Sequence, residues 1–357
     1  MRGSAAVHAQ VPATEPPLEI VEDAPAGDCV AYVEAHPSGT GYHLPRWGRV
    51  IREAFGHRSK YLCARRAGVV VGVLPLVFFD SRLFGRSVVS MPFLNYGGVL
   101  ADDAVVERAL LERAIVEAQK AGARHLELRH TRQCFPELPS KRHKVAMTLA
   151  LADTVDAQWN RLDRKIRNQV RKAEKSGLRA TTGGRELLPA FYEVFAHNMR
   201  DLGTPVYGVE FFEEILSAFP DSTRLVVIAT AHEPVAASFM YWHRRTIEVP
   251  WASALREFNP LCPNVLLYWE MLRFAIAHRF PVFDFGRSTP GEGTFLFKRQ
   301  WGAEPRELVW EYWMAGGRPL PDLSPKNPKF DLAIRAWQQL PVGVATRVGP
   351  LIVRNIP

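Results

Sequence analysis

The sequence has few cysteines, and no two of them lie close enough together to form a recognised motif. Because no C-x-x-C pair is present, the pattern argues against a disulfide scaffold or a zinc ribbon and favours a reducing compartment. The 11 histidines include no H-E-x-x-H, and His125 and His130 have a spacing that suits no common metal site. We therefore expect no metal centre. The four cysteines are Cys29, Cys63, Cys134 and Cys262.

Long hydrophobic runs are also missing. The longest apolar stretch, Ala67–Phe79, contains Pro75 and is shorter than the ~20 residues that a membrane-spanning helix needs. Residues 1–17 lack the apolar core of a secretory signal, and we expect them to be a disordered leader. Together these features predict a cytoplasmic protein.

Neither extreme composition nor extreme charge is found. The 357 residues are 47% hydrophobic and 23% charged, which is typical of a globular chain of about two domains. The 45 basic and 37 acidic residues leave a net charge of +8. This excess is compatible with an anionic substrate, an RNA partner or a membrane surface, and does not choose among them.

Two stretches, 61–129 and 224–287, repeat the element order β-β-β-α-β. The alternative is one large mixed sheet whose elements happen to alternate. The repeat predicts an α+β protein with mixed sheets, in an order that resembles the core that transfers acyl groups from coenzyme A. In that core two adjacent central strands splay apart. The pyrophosphate loop of those enzymes, Arg/Gln-x-x-Gly-x-Gly/Ala, is missing, which weakens the case for coenzyme A as donor.

We divide the chain into a leader (1–17), a first domain (18–150), a second domain (151–315), and a linker with an amphipathic tail (316–357). The second domain begins with a predicted basic helix, Val155–Lys175, whose apolar stripe runs from Trp159 to Ala173. The basic side is either an ordinary solvated face or a surface that binds RNA phosphates. Its candidate phosphate-binding residues are Arg164, Lys165, Arg171 and Lys172.

The tail mixes apolar residues with Arg335, Arg347 and Arg354. It suits either peripheral contact with the inner face of a membrane or packing back onto the domain. Pro341, Gly349 and other helix breakers predict only short helices there.

Several segments share one pattern of motifs: Phe283–Ser288, Thr294–Lys298, Trp301-Gly302, Tyr42-His43 with Trp47, Arg167–Ala173, and Phe191–Phe212 with Arg200. They resemble the FemAB-like family, whose better-known members transfer an amino acid from aminoacyl-tRNA to a peptidoglycan precursor. The similarity spans roughly residues 20–315 and looks closest to members associated with exosortase (PEP-CTERM) systems and exopolysaccharide loci. It implies two tandem GNAT-like (acetyltransferase-like) domains and acyl or aminoacyl transfer to an amine.

Such a transfer passes through a tetrahedral oxyanion, which the site must stabilise while it receives a proton. Lys298 is our first candidate for charge stabilisation, since Phe297-Lys298 matches the family's Phe-Lys pair; the alternative is a surface lysine on a strand. Asp284 and Arg287 flank Gly286, either as substrate ligands or as a structural ion pair. No G-x-S-x-G motif is present, so we predict no covalent intermediate.

The remaining candidates have weaker support. Tyr241 and His243, our other catalytic candidates, share one face of a strand. His243 is a candidate proton acceptor or an ordinary polar residue. Asn264 is predicted mainly as a helix N-cap, with substrate contact second. The other predicted substrate-binding residues are Trp251, by its place beside that helix, and Arg200, His43 and Trp47, by resemblance alone.

Three functions remain open. The first is an N-acyl or aminoacyl transferase that acts on an amine-bearing precursor in cell-envelope or exopolysaccharide assembly. The second is a coenzyme A-dependent N-acetyltransferase for sugar amines, and the third is a non-catalytic RNA-binding or scaffold protein. The donor would be aminoacyl-tRNA or acyl-CoA, and we expect no tightly bound cofactor.

Overall fold

The computed structural model describes residues 16–22, 24–82, 84–321 and 331–356. The predicted leader therefore lies outside the described residues except for its last two, and so does part of the predicted linker. The elements of the first half are β1 (Leu18–Glu22), α1 (Ala26–Ala35), α2 (Arg46–Phe55), β2 (Arg58–Arg66), β3 (Val69–Ser81), β4 (Gly85–Val89), β5 (Leu100–Ala101), α3 (Ala104–Lys120), β6 (His125–His130) and β7 (Ser140–Lys141).

The second half holds a second set of strands and helices. In chain order they are β8 (Val145–Ala150), α4 (Val155–Arg161), α5 (Arg164–Lys175), β9 (Arg179–Gly183), α6 (Leu188–Asp201), α7 (Val209–Ala218), β10 (Thr223–Ala229), β11 (Pro234–His243), β12 (Thr246–Ala254), α8 (Pro263–Ala277), β13 (Val282–Ser288), α9 (Gly293–Arg299), β14 (Glu304–Glu307), β15 (Val309–Met314), α10 (Asp331–Gln338) and α11 (Val342–Val353).

The strands form two mixed sheets rather than one. The first has the order β1-β2-β3-β4-β6-β15-β7, with β5 on β3, and the second has the order β14-β8-β13-β12-β11-β10-β9. In each sheet three antiparallel strands are followed by a helix and a parallel strand, so that β4 pairs with β6 and β12 with β13. The predicted repeat is therefore confirmed, and the alternative of one large sheet is wrong.

The parallel strands β12 and β13 separate soon after they pair. Their register runs only from Thr246 opposite Val282 to Glu248 opposite Asp284. Just beyond, β13 is irregular between Asp284 and Arg287, where Gly286 has a φ of 74°. A Cβ at Gly286 would lie 2.9 Å from the Val249 carbonyl oxygen. Glycine is required at this position both for the backbone angle and for the close approach.

Two strands cross the domain limits drawn from the sequence. Strand β8, predicted in the first domain, pairs with β13 and β14 of the second sheet. Strand β15, predicted in the second domain, returns to the first sheet and pairs along β6. A short strand satisfies its backbone groups at any free sheet edge, so its own sequence does not reveal which sheet it joins. The limits at 150 and 315 remain a prediction.

The predicted helix Val155–Lys175 is two helices, so its continuity was wrong. Leu162 is extended (φ −70°, ψ 146°) between α4 and α5, and Asp163, a residue type that favours N-terminal positions, precedes α5. The apolar stripe is correct: Leu162, Ile166, Val170 and Ala173 are buried in the core of the second half.

The C-terminal tail packs back onto the protein. Trp337 is buried, Arg200 donates to the Leu340 carbonyl at 2.9 Å, and His57 contacts the Arg354 carbonyl at 2.6 Å. The tail helices α10 and α11 are short, with 8 and 12 residues, and α11 includes Gly349 and Pro350. A Cβ at Gly349 would lie 2.8 Å from the Val206 backbone nitrogen, so glycine permits the close approach of α11 to this segment. Among the described residues, no helix has the length and apolar character to cross a bilayer.

Candidate active site between the two sheets

Two acidic side chains lie side by side where β12 and β13 separate. Glu248 is 4% exposed and Asp284 is 3% exposed, and they occupy opposite positions in the last paired register of the two strands. Burial raises the pKa of both carboxyl groups, and the charge of Asp284 raises that of Glu248 further. Two carboxylates so placed resist simultaneous ionisation, so the pair can retain a proton near neutral pH.

The loop that contains Asn95 and Tyr96, in the first half of the chain, contacts both acids of this pair. The Asn95 side-chain amide donates to Glu248 Oε1. The Tyr96 hydroxyl lies 3.1 Å from Glu248 Oε2 and 3.4 Å from Asp284 Oδ2. A hydroxyl has one hydrogen to donate, so hydrogen bonds to both acids require a proton on one of the carboxyl groups. The contact therefore suits a protonated, shared state of the pair.

Lys298 enters the site from the second half. It is 7% exposed, and its ammonium group donates to the carbonyl oxygens of Gly286 at 3.2 Å and Arg287 at 3.0 Å. Burial lowers the pKa of Lys298 to about 8, while the charges of Asp284 and Glu248 oppose that shift. Lys298 lies on helix α9, so the alternative of a solvated lysine on a strand is wrong.

Cavities open on both sides of Tyr96. One, of about 80 Å³, is lined by Tyr96, Glu248, Tyr241 and His243 among others. The other, of about 210 Å³, is lined by Tyr96, His43 and Arg129 among others. Tyr96 thus lies in both walls, and the smaller cavity gives Glu248 a face that a small group can approach.

Several predicted site residues meet around this acid pair. Asp284, Arg287 and Lys298 belong to β13 and α9, but the Asp284 carboxylate accepts from the Gly286 amide at 2.8 Å instead of pairing with Arg287. Tyr241 and His243 line the smaller cavity. Burial raises the pKa of Tyr241 and lowers that of His243, whose Nδ1 lies 3.6 Å from Glu34.

Trp47 packs on a residue that lines the smaller cavity, and His43 forms a hydrogen bond nearby. The Trp47 ring packs 5.4 Å from the Tyr241 ring, between centroids, and supports the smaller cavity from behind. His43 Nδ1 is 2.9 Å from the Thr40 hydroxyl, and burial lowers the pKa of His43 to about 3. His43 is therefore neutral at physiological pH and suited to hydrogen bonding rather than to carrying charge.

Four other predicted residues have contacts or positions away from the acid pair. Trp251 packs edge-on against Phe211 and Phe212 in the core. Phe297 packs on Tyr268 with ring centroids 5.1 Å apart. Arg200 pairs with Asp201 at 2.7 Å and holds the tail. Helix α8 begins at Pro263 with Cys262 as N-cap, so the predicted cap at Asn264 is wrong.

The basic face predicted on the second domain is present on α5. Arg164, Lys165, Arg171 and Lys172 are all exposed, and none forms an ion pair with a residue that the structure describes. The Arg171 guanidinium lies 5.4 Å from the Trp159 ring centroid. Four unpaired cations on one face are compatible with both the solvated and the phosphate-binding interpretation.

The residues that sequence reasoning missed are Glu248, Asn95 and Tyr96. A signal existed for Glu248, because a charged residue between Ile247 and Val249 interrupts an apolar strand. Asn95-Tyr96-Gly97-Gly98 was recognised as a loop, but its sequence does not indicate that it reaches the other sheet. Only the spatial arrangement of the two halves brings these residues together.

One group of described residues has the composition of a metal site. His130, Cys134 and Glu311 bring their ligand atoms within 4.8 Å of one another. However, His130 Nε2 accepts from the Val99 amide at 3.0 Å, and Nδ1 lies 2.7 Å from Glu311. Glu311 also accepts from the backbone amides of Cys134 and Phe135. Hydrogen bonding therefore accounts for this group without an ion.

We expect Glu248→Gln to change the pH dependence of stability. Because its pKa is raised, Glu248 keeps its proton in the folded protein, whereas in the unfolded chain it loses that proton above ~pH 4. The contribution of protonated Glu248 to the stability of the wild-type protein therefore declines as pH rises toward the folded pKa. Glutamine cannot titrate. Urea unfolding at pH 5 and pH 8 measures this effect. The free energy of unfolding of the variant minus that of wild type should be at least ~1.4 kcal/mol more positive at pH 8 than at pH 5, which is the equivalent of one pKa unit.

The matched control is Glu257→Gln, on an exposed residue. It should show no comparable change between pH 5 and 8. A Glu248→Gln variant whose stability differs from wild type by the same amount at both pH values would show that Glu248 is ionised normally.

Comparison with known proteins supports the fold. Residues 160–299 match the family model described as an acetyltransferase (GNAT) domain, a segment that contains Glu248, Asp284 and Lys298. Among solved structures, the chain is similar to FemX, with a TM-score of 0.65 and 16% identity over 83% of this chain and 97% of that chain. No curated protein matches the sequence significantly.

Two further structures share the architecture. A tandem GNAT protein from the clavulanic acid biosynthesis pathway has a TM-score of 0.52 and 14% identity, over 85% of this chain and 100% of that chain. A conserved protein of unknown function from Bacteroides thetaiotaomicron has a TM-score of 0.56 and 12% identity, over 84% and 100%. The predicted fold class, tandem GNAT-like domains with mixed sheets, is confirmed.

Proposed function

We propose that this protein is an acyltransferase that moves an acyl or aminoacyl group onto an amine at the junction of its two sheets. The observation that carries the proposal is the buried acid pair Glu248–Asp284 beside Lys298, at the point where β12 and β13 separate. This site lies within the segment that matches the acetyltransferase model. It combines a proton acceptor and a cation, which amine acylation requires.

The chemistry assigns a role to each group. The amine nitrogen attacks the carbonyl carbon of an ester or thioester, a C–N bond forms, and the C–O or C–S bond breaks. The acid pair holds one proton near neutral pH, so the proton released by the amine passes to its one ionised carboxylate. Glu248 faces the smaller cavity. Lys298, when protonated, stabilises the oxyanion and donates a proton to the departing oxygen or sulfur. Tyr241 and His243 position the amine.

In each sheet the helix that follows the three antiparallel strands, α3 or α8, lacks the glycine-rich, uncapped N-terminus that would suit the diphosphate of coenzyme A. In the first half the Asp103 carboxylate caps α3, accepting from the amides of Val105 and Val106. In the second half α8 begins at Pro263, which has no amide hydrogen, and the preceding residues 255–262 contain no glycine. Since phosphates favour free amides at helix N-termini, these features support aminoacyl-tRNA over acyl-CoA as the donor.

The acceptor and setting are proposed by resemblance. Similarity to the FemAB-like family, and in fold to FemX, supports an amine-bearing precursor of the cell envelope or of an exopolysaccharide as acceptor. The association with exosortase (PEP-CTERM) systems is part of the same proposal. We place the protein in the cytoplasm.

A peripheral membrane contact fits the tail, whose exposed apolar residues accompany arginines. The exposed apolar residues are Leu332, Val344, Val348 and Leu351. Co-sedimentation with anionic but not neutral vesicles is expected, and recovery of all protein in the supernatant would contradict it.

A second candidate is coenzyme A-dependent N-acetylation of a sugar amine. It is favoured by the family model, which describes an acetyltransferase, and by the tandem GNAT fold. Incubation of the protein with amine acceptors and either charged tRNA or labelled acetyl-CoA distinguishes the two donors. Binding of tRNA without any transfer would favour the non-catalytic alternative.

We expect Lys298→Ala to lower the rate of label transfer to the acceptor at least ~100-fold, because the variant loses the cation that stabilises the oxyanion. The assay is single-turnover transfer with saturating donor. Arg299→Ala is the matched control, since Arg299 is exposed on the same helix. Equal rates for Lys298→Ala and wild type would refute the role of Lys298.

The double variant Arg164→Glu plus Arg171→Glu tests the basic face of α5. If this face binds tRNA phosphates, tRNA affinity should fall ~10-fold or more, and the slope of log K against log salt should decrease by about 2. Transfer from acetyl-CoA, if any, should be unaffected. An unchanged salt dependence would identify the face as solvated only.

A further inference from the structure

Two arginines from different sheets stack on one tryptophan beside the proposed site. The guanidinium carbon of Arg129 lies 4.4 Å from the Trp310 ring centroid, and that of Arg287 lies 5.2 Å from it. Trp310 stands opposite Arg129 in the register of β15 and β6, whereas Arg287 belongs to β13. The arrangement therefore depends on the return of β15 to the first sheet.

The two guanidinium groups differ in their partners. Arg129 donates to Glu127 at 2.7 Å and to the Leu94 carbonyl at 3.2 Å. Arg287 forms no ion pair with any described residue, and its Nη1 is buried without a hydrogen-bond partner. Burial, and then the charge of Arg129, lowers the pKa of Arg287 to about 10. An unpaired guanidinium nitrogen is costly to bury unless a ligand or water satisfies it.

The surroundings add further positive charge. The connection between β7 and β8 reads Lys-Arg-His-Lys from Lys141 to Lys144. His143 packs edge-on against Trp310, with ring centroids 5.5 Å apart. Partial burial, and then the charges of Lys144, Lys141 and Arg287, lowers the pKa of His143. Arg142 pairs with Glu307 at 2.8 Å and Arg129 with Glu127 at 2.7 Å, whereas Arg287 forms no ion pair with a described residue.

We infer that Arg287, with Arg129 and Trp310, forms a subsite for a phosphate group of a substrate. The planar guanidinium binds phosphate through two parallel hydrogen bonds. Two guanidinium groups face Trp310 and only one of them is paired with a carboxylate, which favours a doubly charged phosphate over a singly charged carboxylate. Arg287 and Trp310 are both partly exposed.

The subsite is directly connected to the proposed reaction centre. The Arg287 carbonyl oxygen accepts a hydrogen bond from Lys298 at 3.0 Å. A phosphate held by the Arg287 side chain would therefore lie next to the residues that act on the transferred group. The inference rests on the proposed transfer function for its meaning, but its test measures binding without turnover.

The test is calorimetric titration of the full chain with inorganic phosphate, adenosine 5′-monophosphate and glucosamine 1-phosphate. Arg287→Gln should weaken binding of at least one of these ligands ~10-fold or more. Arg287→Lys should weaken the same binding less, because lysine keeps the positive charge but lacks the two parallel N–H donors of the guanidinium group. Preference for the nucleotide would indicate a nucleotide-bearing substrate, and preference for the sugar phosphate a phosphorylated sugar. Arg142→Gln, the same charge change at the pair with Glu307, is the control and should leave binding unchanged.

Acetate is the comparison anion. Binding of acetate as tight as that of phosphate would overturn the assignment to phosphate. Equal affinities of wild type, Arg287→Lys and Arg287→Gln for all three phosphates, or no binding by wild type, would overturn the subsite itself. If transfer activity is nevertheless measured, the subsite fails while the proposed function stands.

Discussion

The contact of Asn95 and Tyr96 with Glu248 and Asp284 is the interaction on which the rest of the site depends. Without it, two buried acids would face each other at the end of a parallel register with no donor from the opposite half. With it, the amide and hydroxyl groups of the first half satisfy the carboxyl oxygens of the second. Since burial of an unsatisfied carboxylate is strongly unfavourable, this contact couples the protonation of the acids to the association of the two sheets.

The exchange of strands between the two sheets also links the two halves of the chain. Strand β8 follows the strands of the first sheet in the chain but pairs in the second sheet, and β15 follows the strands of the second sheet but pairs in the first. The two halves are thus linked by backbone hydrogen bonds as well as by the acid pair. Trp310 is brought to the junction by this return, next to arginines from both sheets. A single domain of this architecture would present neither the Tyr96 hydroxyl nor the Trp310 ring to the residues of β13.

Much of the fold was predictable from the sequence because it depends on local patterns. The short apolar run Val235–His243 predicts a strand, and the helical spacing of Ile166 and Val170 predicts a helix; the structure confirms both. The tandem arrangement followed from the repeated element order. The pairing of β15 was not predictable, because a short apolar strand fits either sheet equally well.

The candidate site was only partly predictable. Asp284, Arg287 and Lys298 are close together in the chain, so one motif contained all three. Glu248 and Tyr96 are distant from them, and their contacts arise from tertiary packing. The N-cap predicted at Asn264 was wrong because Pro263 sets the helix start, with Cys262 as its cap. Trp251 packs against Phe211 in the aromatic core, and its role in substrate binding stays a prediction. Local sequence sets the conformation of a segment, but it does not determine which side chain from another segment will face it.

Carbon-13 NMR titration of the carboxyl groups of Glu248 and Asp284 in labelled protein, assigned by single substitution of each, measures whether the acid pair retains a proton at neutral pH. We expect at least one carboxyl resonance to keep the shift of the protonated acid at pH 7 and the two resonances to titrate together. Two independent titrations, both complete below pH 5, would contradict it.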